Sequence, residues 1–468
     1  MEEKKQRAQW GSKIGFILAA AGSAVGLGNI WKFPGKAYAG GGAAYLIIYL
    51  AIVLLIGVPV MVTELSLGRY TQKNTIGIFR QLDKRYTWTG WFGVICAFVI
   101  LCYYGHVGGW VLRYIAAYIT DSAAVMDGGL NYFYGLLGYD AVNGTTFFPW
   151  LAIGFAALFM ALNCFILLKG VSGGIEKFNK VGMPALFVIL LILLVRSVTL
   201  GGGAAEGLKY MLTPDFSKVD GSTFISALGQ AFFSLSLGMA IMTTYGSYLP
   251  KQESIPKNSL IICGLDTLVA FLSGFIIVPA VFATLGADAV GKGGGFAFGA
   301  LGGVFKAMPA GALFGLLFYL LLFFAAISSS ISISEGVIAF ICEEFHAKRK
   351  ATTIGLCVVC FVIGAFYTIS QASVDMHLPW IDFTGVTSPI VADWMEFLTD
   401  RLLLPVCALG ECIFVGWVWK PENIIRESTA EGNTFSWAGL YTFCVKFLAP
   451  IGIAVILIYS FATGTTVS

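Results

Sequence analysis

Long uncharged apolar runs recur along the whole sequence, and they constrain the fold more than any other feature. Each run has enough residues to cross a hydrocarbon core of about 30 Å as a helix. The runs are too long and too evenly apolar to be the alternating strands of a membrane barrel. The sequence therefore predicts an all-α polytopic membrane protein, with its clearest runs at residues 14–31, 37–63, 86–112, 141–168, 221–250, 307–334 and 351–374.

The composition argues against an ordinary soluble enzyme. Of the 468 residues, 57% are hydrophobic and only 12% are charged, which lies outside the range of soluble domains. The ten cysteines are scattered without metal-ligand spacing, and no GxGxxG, Walker or HExxH motif is present. We therefore expect no enzymatic activity, no nucleic-acid partner and no obligatory protein partner, and we expect the lipid bilayer to be the surrounding solvent.

The apolar runs and the loop charges predict the topology. We count eleven spans, centred near residues 25, 50, 100, 156, 190, 235, 270, 320, 361, 410 and 450. The loops on one side, which include the N-terminal tail, carry nineteen Lys and Arg residues against seven on the other side. The positive-inside rule then places the N-terminus in the cytoplasm and, because the span count is odd, the C-terminus outside.

Two of the spans are interrupted by glycine and serine. The stretch 22–29 breaks span 1, and the stretch 234–239 breaks span 6. Interrupted helices five spans apart are expected from an inverted five-plus-five repeat whose breaks meet at the membrane midplane. The predicted organisation is a cytoplasmic tail at 1–13, a first repeat at 14–200, a second repeat at 220–420 and an eleventh helix at 432–462.

Polar residues cluster at the depth of these breaks. A break frees backbone groups that lipid cannot satisfy, so it must face protein, water or a ligand. Half-helix N-termini attract a carboxylate, and freed carbonyls suit a hard cation such as sodium. Asn29, Ser234, Ser236, Asp266 and the serines at 328–330 lie at this depth, and an acid inside a span is a functional hypothesis by default. Close helix packing through glycine and serine bonds to the helix backbone are the structural alternatives.

These motifs give the chain a resemblance to the neurotransmitter:sodium symporter family, which has the LeuT-type fold. The stretch AVGLGNIWKFP in span 1 is the most specific of them. With eleven spans, the chain is similar to the bacterial amino-acid transporters of that family. The resemblance implies a sodium-coupled symporter that imports hydrophobic L-amino acids, aliphatic and aromatic, across the bacterial inner membrane by alternating access. The matching stretches are residues 7–13, 24–34, 40–43, 64–70, 230–238 and 325–330.

The resemblance implies two sodium sites made of oxygen ligands. The first site would hold its ion between the substrate carboxylate and Ala24, Asn29, Ser234 and Asp266. Substrate and ion would then share a bond, which couples their binding. The second site would consist of Gly22, Val25, Ala325, Ser328 and Ser329.

The same resemblance implies that chloride is not needed. Chloride-dependent relatives have a neutral residue where this chain has Asp266, and a fixed carboxylate beside a sodium ion supplies the negative charge instead. The chloride positions of the family correspond to Tyr49, Gln230, Ser234 and Ala270, and the side chain of Ala270 has no oxygen. One acid does not establish proton antiport, so a proton-coupled amino-acid transporter of the same fold is the alternative.

The substrate is expected to be an amino acid with its own carboxylate, because monoamine carriers of the family have an aspartate at the position of Gly26. Charged side chains should be excluded from an apolar pocket by their desolvation cost, and the flexible thioether of Met239 favours broad acceptance. Ordinary core packing is the alternative for the apolar members. The residues implied in substrate binding are Ala24, Leu27, Gly28, Ile100, Tyr104, Val107, Phe233, Ser234, Ser236, Met239 and Ile333.

Gates on both sides follow from the resemblance. Lys32 would pair across the outer vestibule with Glu396, at the mouth of an apolar run, rather than with Asp382. Gly174 and Pro184 would let the cytoplasmic end of span 5 unwind, unless they serve packing alone. The residues implied in capping the site from outside are Tyr104 and either Phe232 or Phe233. Those implied in closing the inner side are Arg7, Trp10, Tyr248 and Glu343.

Overall fold

A computed structural model describes residues 9–291, 295–372 and 390–463 of the chain. Almost all of this part is helical, and its only strands form a small antiparallel hairpin of Tyr139–Asp140 and Thr145–Thr146. Two residues considered for the gates, Arg7 and Asp382, lie outside the described residues.

Nine helices in the described ranges are long and apolar enough to cross a membrane. This agrees with the predicted class of polytopic helical membrane protein. We number them spans 2, 3, 4, 5, 7, 8, 9, 10 and 11. In that order they are Ala43–Thr71, Lys84–Thr120, Trp150–Leu168, Val171–Val198, Ile255–Thr284, Gly311–Glu344, Arg349–Gln371, Val391–Val418 and Ala438–Ala462.

Spans 1 and 6 each consist of two shorter helices. Span 1 contains Lys13–Ala24 and Gly28–Ala39, which are bent by 51° at the residues between them. Span 6 contains Gly221–Ser234 and Ile241–Gly246, separated by the non-helical stretch 235–240. The interruptions lie where the glycine and serine patterns predict them, and together with the nine long helices these two pairs are consistent with eleven spans.

Short helices connect the spans on both sides. They are too short to cross the bilayer, and they pack on the ends of the bundle. The connecting helices are Thr75–Leu82, Ser122–Leu137, Ala204–Leu212, Phe296–Ala307 and Pro421–Ser428, with single turns at Phe216–Lys218, Ala287–Ala289 and Ala430–Gly432.

Several spans pack against the span five positions later in the chain. Span 2 contacts span 7, span 3 contacts span 8, and span 4 contacts span 9, while the second half of span 1 contacts the first half of span 6. Because five is odd, the two members of each pair cross the membrane in opposite directions. Such pairs are what an inverted repeat produces. The exact residue boundaries of the two repeats stay predictions.

Glycines bring span 2 into backbone contact with the second half of span 6. Gly68 lies directly against the carbonyl of Thr243, and Gly246 lies directly against the carbonyl of Leu65. A Cβ atom at either glycine would overlap the facing carbonyl oxygen. Since the obstructing atoms belong to the backbone, they cannot turn aside as a flexible side chain can.

We predict that Gly68→Ala destabilises the protein by about 1–3 kcal/mol, because the added methyl group forces these two helices apart. The measurement is the melting temperature of the detergent-solubilised protein. Gly264→Ala in span 7 is the matched control, since a Cβ there would meet no atom within 4 Å. Equal melting temperatures for the two variants would contradict the close packing.

Candidate substrate and ion sites

A small cavity lies where the two interrupted spans meet. Spans 1, 3, 6 and 8 supply its wall, and all lining residues except the half-buried Phe233 are buried. The lining residues are Ser23, Ala24, Gly26, Gly28, Asn29, Ile100, Tyr104, Phe233, Ser234, Ser236, Met239, Ser329 and Ile333.

The cavity brings together nine of the eleven residues that were predicted to bind substrate. Leu27 lies at its edge, where its N–H donates to the Tyr104 hydroxyl over a long 3.4 Å. Val107 is buried but does not line the cavity. Ile100 and Tyr104 are one helical turn apart, so span 3 presents an apolar and a polar group on the same face.

Two polar side chains converge on a buried carboxylate beside this cavity. Asp266 in span 7 is fully buried, and both of its oxygens lie 2.9 Å from the Ser234 hydroxyl. The Asn29 amide nitrogen donates to Asp266 at 2.7 Å and to Ser234 at 2.8 Å. The predicted side-chain ligands of the first sodium site therefore meet, from spans 1, 6 and 7. A sodium ion here requires the Asn29 amide to turn its oxygen inward, since that oxygen now accepts from Gly26 N–H at 3.1 Å.

A second group of oxygens surrounds the Ser329 hydroxyl. The carbonyls of Gly22, Ser23 and Val25 lie 3.4, 3.1 and 3.3 Å from it. One hydroxyl has a single hydrogen, so it can satisfy only one of the three acceptors. A surplus of carbonyl oxygens in one place is the chemistry that a hard cation needs.

The other predicted members of this second site lie on the same helix. The Ser328 hydroxyl donates within span 8, to the carbonyls of Phe324 at 2.7 Å and Ala325 at 3.1 Å. In this structure Ser328 therefore fits the structural alternative, in which a serine hydroxyl bonds to the backbone of its own helix. Its oxygen still has a free lone pair for a cation.

The break in span 6 is held open by its neighbours. The Ser236 hydroxyl donates to the Ser23 carbonyl at 3.0 Å, which joins the two breaks, and Gly238 N–H donates to a Glu64 carboxylate oxygen at 2.8 Å. Ser236 and Ala240 have positive φ values of 55° and 61°, which cost energy for residues with a Cβ. No role was predicted for Glu64 from the sequence, although an acid within an apolar span is itself a signal of function.

The predicted chloride positions surround the outer side of the first site. Gln230 donates to the Gly28 carbonyl at 3.3 Å and accepts from the Lys36 ammonium at 3.0 Å. Tyr49 and Ala270 are fully buried. Lys36 is only 8% exposed, and sequence reasoning did not single it out.

Comparisons with known proteins match this arrangement. The sequence pattern of the Sodium:neurotransmitter symporter family matches residues 7–132 and 148–467. The chain belongs to this family. It is 35% identical to an uncharacterized sodium-dependent transporter of Bacillus subtilis, over 98% of each chain. It is 28% identical to the sodium-dependent serotonin transporter of Drosophila melanogaster, over 98% of this chain and 77% of that protein.

A solved structure carries the same fold. The crystal structure of MhsT in complex with L-phenylalanine matches with a TM-score of 0.85 and 36% identity, over 97% of this chain and 100% of that one. The predicted LeuT-type fold is thereby confirmed. The protein is a multi-pass membrane protein and a sodium-dependent symporter of its family.

The inner side of the symporter is closed by aromatic side chains. Trp10 is 8% exposed, and its indole N–H donates to the Tyr245 carbonyl at 3.1 Å. Its ring packs edge-on against Tyr245 at 4.9 Å and against Tyr248 at 6.2 Å. The predicted pair of Trp10 and Tyr248 is thus brought together beneath the cavity.

An ion-pair network that the sequence analysis missed supports this closure. The Tyr248 hydroxyl donates to Glu335 at 2.9 Å, and Arg349 binds the same carboxylate with two nitrogens at 2.9 and 2.6 Å. Glu343 accepts from Asn74 N–H at 2.8 Å, and Lys73 lies 3.6 Å away. Its predicted partner Arg7 is outside the described residues.

Span 5 also holds the N-terminal segment. Glu176 accepts from Gly11 N–H at 2.7 Å, from the Ser12 hydroxyl at 2.8 Å and from Lys180 at 2.7 Å. Gly174 lies in the π-helical turn Val171–Glu176, and Pro184 lies inside the helix Lys177–Val198. The helix is continuous between them, so the predicted unwinding would have to release Glu176 first.

On the outer side, the predicted ion pair is not formed. The Lys32 ammonium lies 5.1 Å from the centre of the Phe233 ring, and Glu396 accepts from the Tyr367 hydroxyl at 3.0 Å. No ion pair within the described residues joins Lys32 to Glu396. Phe233 lines the cavity, whereas Phe232 is buried outside its lining, and the capping role of these rings stays a prediction.

We predict that Glu176→Gln loosens the N-terminal segment, because the neutral amide weakens charge-assisted bonds to residues 11, 12 and 180 by about 1–2 kcal/mol. Hydrogen–deuterium exchange of residues 9–15 should become faster. Glu422→Gln, at an exposed acid of the helix Pro421–Ser428, is the control and should leave the exchange unchanged. Unaltered exchange in Glu176→Gln would show that this carboxylate does not hold the segment.

Proposed function

We propose that this symporter imports hydrophobic L-amino acids into a bacterial cell together with two sodium ions and without chloride. The observation that carries the proposal is the buried cluster of Asn29, Ser234 and Asp266 at the edge of a mostly apolar cavity. The cluster supplies oxygen ligands for a cation, and apolar side chains line the adjoining cavity.

An amino acid fits better than an amine that lacks a carboxylate. A Cβ atom at Gly26 would lie 3.2 Å from the Ser329 hydroxyl and 3.3 Å from the Tyr104 hydroxyl. An aspartate there would therefore occupy the region between these hydroxyls, and glycine leaves it to the substrate. The helix that begins at Gly28 adds the positive end of its dipole, which favours a carboxylate.

The opposite wall favours an apolar side chain. Ile100, Met239 and Ile333 are all at most 4% exposed and line the cavity together. A charged substrate side chain placed against them would lose its hydration without gaining a partner, which disfavours it by several kcal/mol. The bound L-phenylalanine in the structural relative MhsT supports the same substrate class.

Asp266 supports chloride independence. A sodium ion at Asn29 would lie next to a fixed negative charge on Asp266, so the pair is neutral without an added anion. Ala270, at one of the four positions that correspond to the chloride site, offers no oxygen or proton donor.

Two ions are supported by two separate groups of oxygens, one at Asp266 and one at Ser329. One sodium ion moving down 100 mV releases about 2.3 kcal/mol, and a tenfold gradient adds about 1.4 kcal/mol. Two ions would support roughly 10⁵-fold accumulation of a neutral amino acid. Such accumulation suits a scavenging importer.

The direct test is uptake of labelled phenylalanine and leucine by proteoliposomes with an inward sodium gradient. We predict accumulation that persists when gluconate replaces chloride and stops when choline replaces sodium. Asp266→Ser should lose uptake in gluconate and regain part of it in chloride, because a mobile anion then replaces the fixed one. Uptake that persists in choline under a proton gradient would favour the proton-coupled alternative.

A second prediction separates the two ion sites. Ser329→Ala removes an oxygen from the group formed with Gly22, Ser23 and Val25, so the sodium concentration for half-maximal uptake should rise about tenfold. Ser330→Ala is the control, because the neighbouring hydroxyl is equally buried and does not line the cavity. If both variants have the same sodium dependence, Ser329 is not an ion ligand.

A further inference from the structure

A second cavity, unrelated to the transport site, lies at the far end of span 5 from Glu176. It lies between spans 5, 7 and 8 and the connecting helix Phe296–Ala307. Leu193, Ile277, Val304 and Phe318 line it, and each is at most 5% exposed. The position below a connecting helix and between three spans makes it a deep apolar recess.

The interior of this recess offers a polar guest no hydrogen-bond donor. Its one neutral polar side chain, Ser197, already donates its hydrogen to the Ile276 carbonyl at 2.6 Å, so only an acceptor lone pair is left. A polar molecule entering the recess would lose its hydration without compensation. The part of any ligand that fills the interior must therefore be apolar.

The rim of the recess, in contrast to its interior, carries a positive charge. Arg196 lies there with its guanidinium 5.4 Å from the centre of the Phe314 ring, and one nitrogen reaches the Pro309 carbonyl at a long 3.4 Å. A guanidinium has five N–H donors, so this single contact leaves most of them for a ligand. In the described part of the chain, Arg196 forms no ion pair with a carboxylate.

The rim also faces the bilayer. Val195 and Leu313, which are next in sequence to the lining residues Arg196 and Phe314, are 62% and 55% exposed. Exposed apolar residues on membrane spans contact acyl chains. Arg196 stands two residues before the end of span 5 and close to the start of span 8, which places its charge at the headgroup level.

We propose that an anionic phospholipid binds at this recess, with one acyl chain in the cavity and its phosphate on Arg196. Arginine is suited to phosphate because its planar fork donates two parallel hydrogen bonds. Basic groups at pockets between membrane helices bind anionic headgroups in this way. Such a ligand requires an apolar interior for its acyl chain, a cation without a carboxylate partner for its phosphate, and an opening to the lipid.

The test is native mass spectrometry of the delipidated full chain after addition of phosphatidylglycerol or phosphatidylcholine with identical acyl chains. We expect tighter retention of phosphatidylglycerol, and we expect Arg196→Gln to weaken it about fivefold while leaving phosphatidylcholine unchanged. Arg113→Gln is the matched control, because Arg113 also lies near an aromatic ring, Tyr132 at 5.5 Å, and does not line the recess. This control should bind both lipids as the unmodified protein does.

A cavity-filling variant tests the acyl-chain half of the proposal. Ala280 lines the recess, and Ala280→Phe would place a ring where the chain is proposed to lie. Retention of both lipids should fall at least fivefold in this variant. Normal elution as a folded, monodisperse protein is the check that the variant is intact. Equal phosphatidylglycerol binding by Arg196→Gln and Arg113→Gln, or undiminished lipid retention by Ala280→Phe, would overturn the proposal.

Discussion

Backbone groups without helical partners, buried at the two broken spans, are the constraint on which the rest of this structure depends. In an apolar surrounding each such group costs several kcal/mol unless another group binds it. The chain meets this requirement with Glu64 for the Gly238 amide, with Asn29 for the Gly26 amide and with Ser236 for the Ser23 carbonyl. Spans 2 and 6 must therefore stay in contact with each other and with span 1.

The polar backbone groups at the breaks are not all paired within the protein, and the unpaired groups indicate which ligands could bind. Around Ser329 there are more carbonyl acceptors than hydrogens to donate, which favours a cation. Around Gly28 a helix begins, which favours a carboxylate. The proposed ligands, sodium and an amino acid, would supply these two missing partners. The unpaired groups at the broken helices would then give the symporter its affinity for both ligands.

The inner closure shows how the same breaks are kept from water. Trp10 contacts the second half of span 6 through Tyr245, and Glu176 fixes the segment that carries Trp10 onto span 5. Release of the Glu176 contacts would free Trp10 and expose the oxygens near Gly22. The closing contacts combine the ring packing of Trp10 with a few hydrogen bonds.

Local patterns in the sequence predicted the spans, the two breaks and the importance of Asp266, because hydropathy, glycine and an intramembrane acid are signals within one segment. The meeting of Asn29 with Ser234 and Asp266 joins residues 205 and 237 positions apart, and only the family resemblance indicated it.

Side-chain pairing between spans could not be predicted in the same way. Glu335 directly follows the apolar run at residues 307–334, and Glu176 lies near the start of span 5. Acids at such positions in a sequence ordinarily face water, so nothing marked them as partners of Arg349 and Ser12. Val107 is three residues beyond Tyr104 in span 3, and the sequence did not show that it lies outside the cavity lining.

The central claim is that sodium and the substrate carboxylate share a site at Asn29 and Asp266. The most direct measurement is equilibrium binding of radiolabelled sodium to the purified symporter with and without phenylalanine, and with phenylethylamine, which lacks the carboxylate. The account predicts that phenylalanine raises sodium affinity by the same factor by which sodium raises phenylalanine affinity, and that phenylethylamine does not. Sodium affinity that is the same with phenylalanine as without it, or equally raised by phenylethylamine, would contradict the claim.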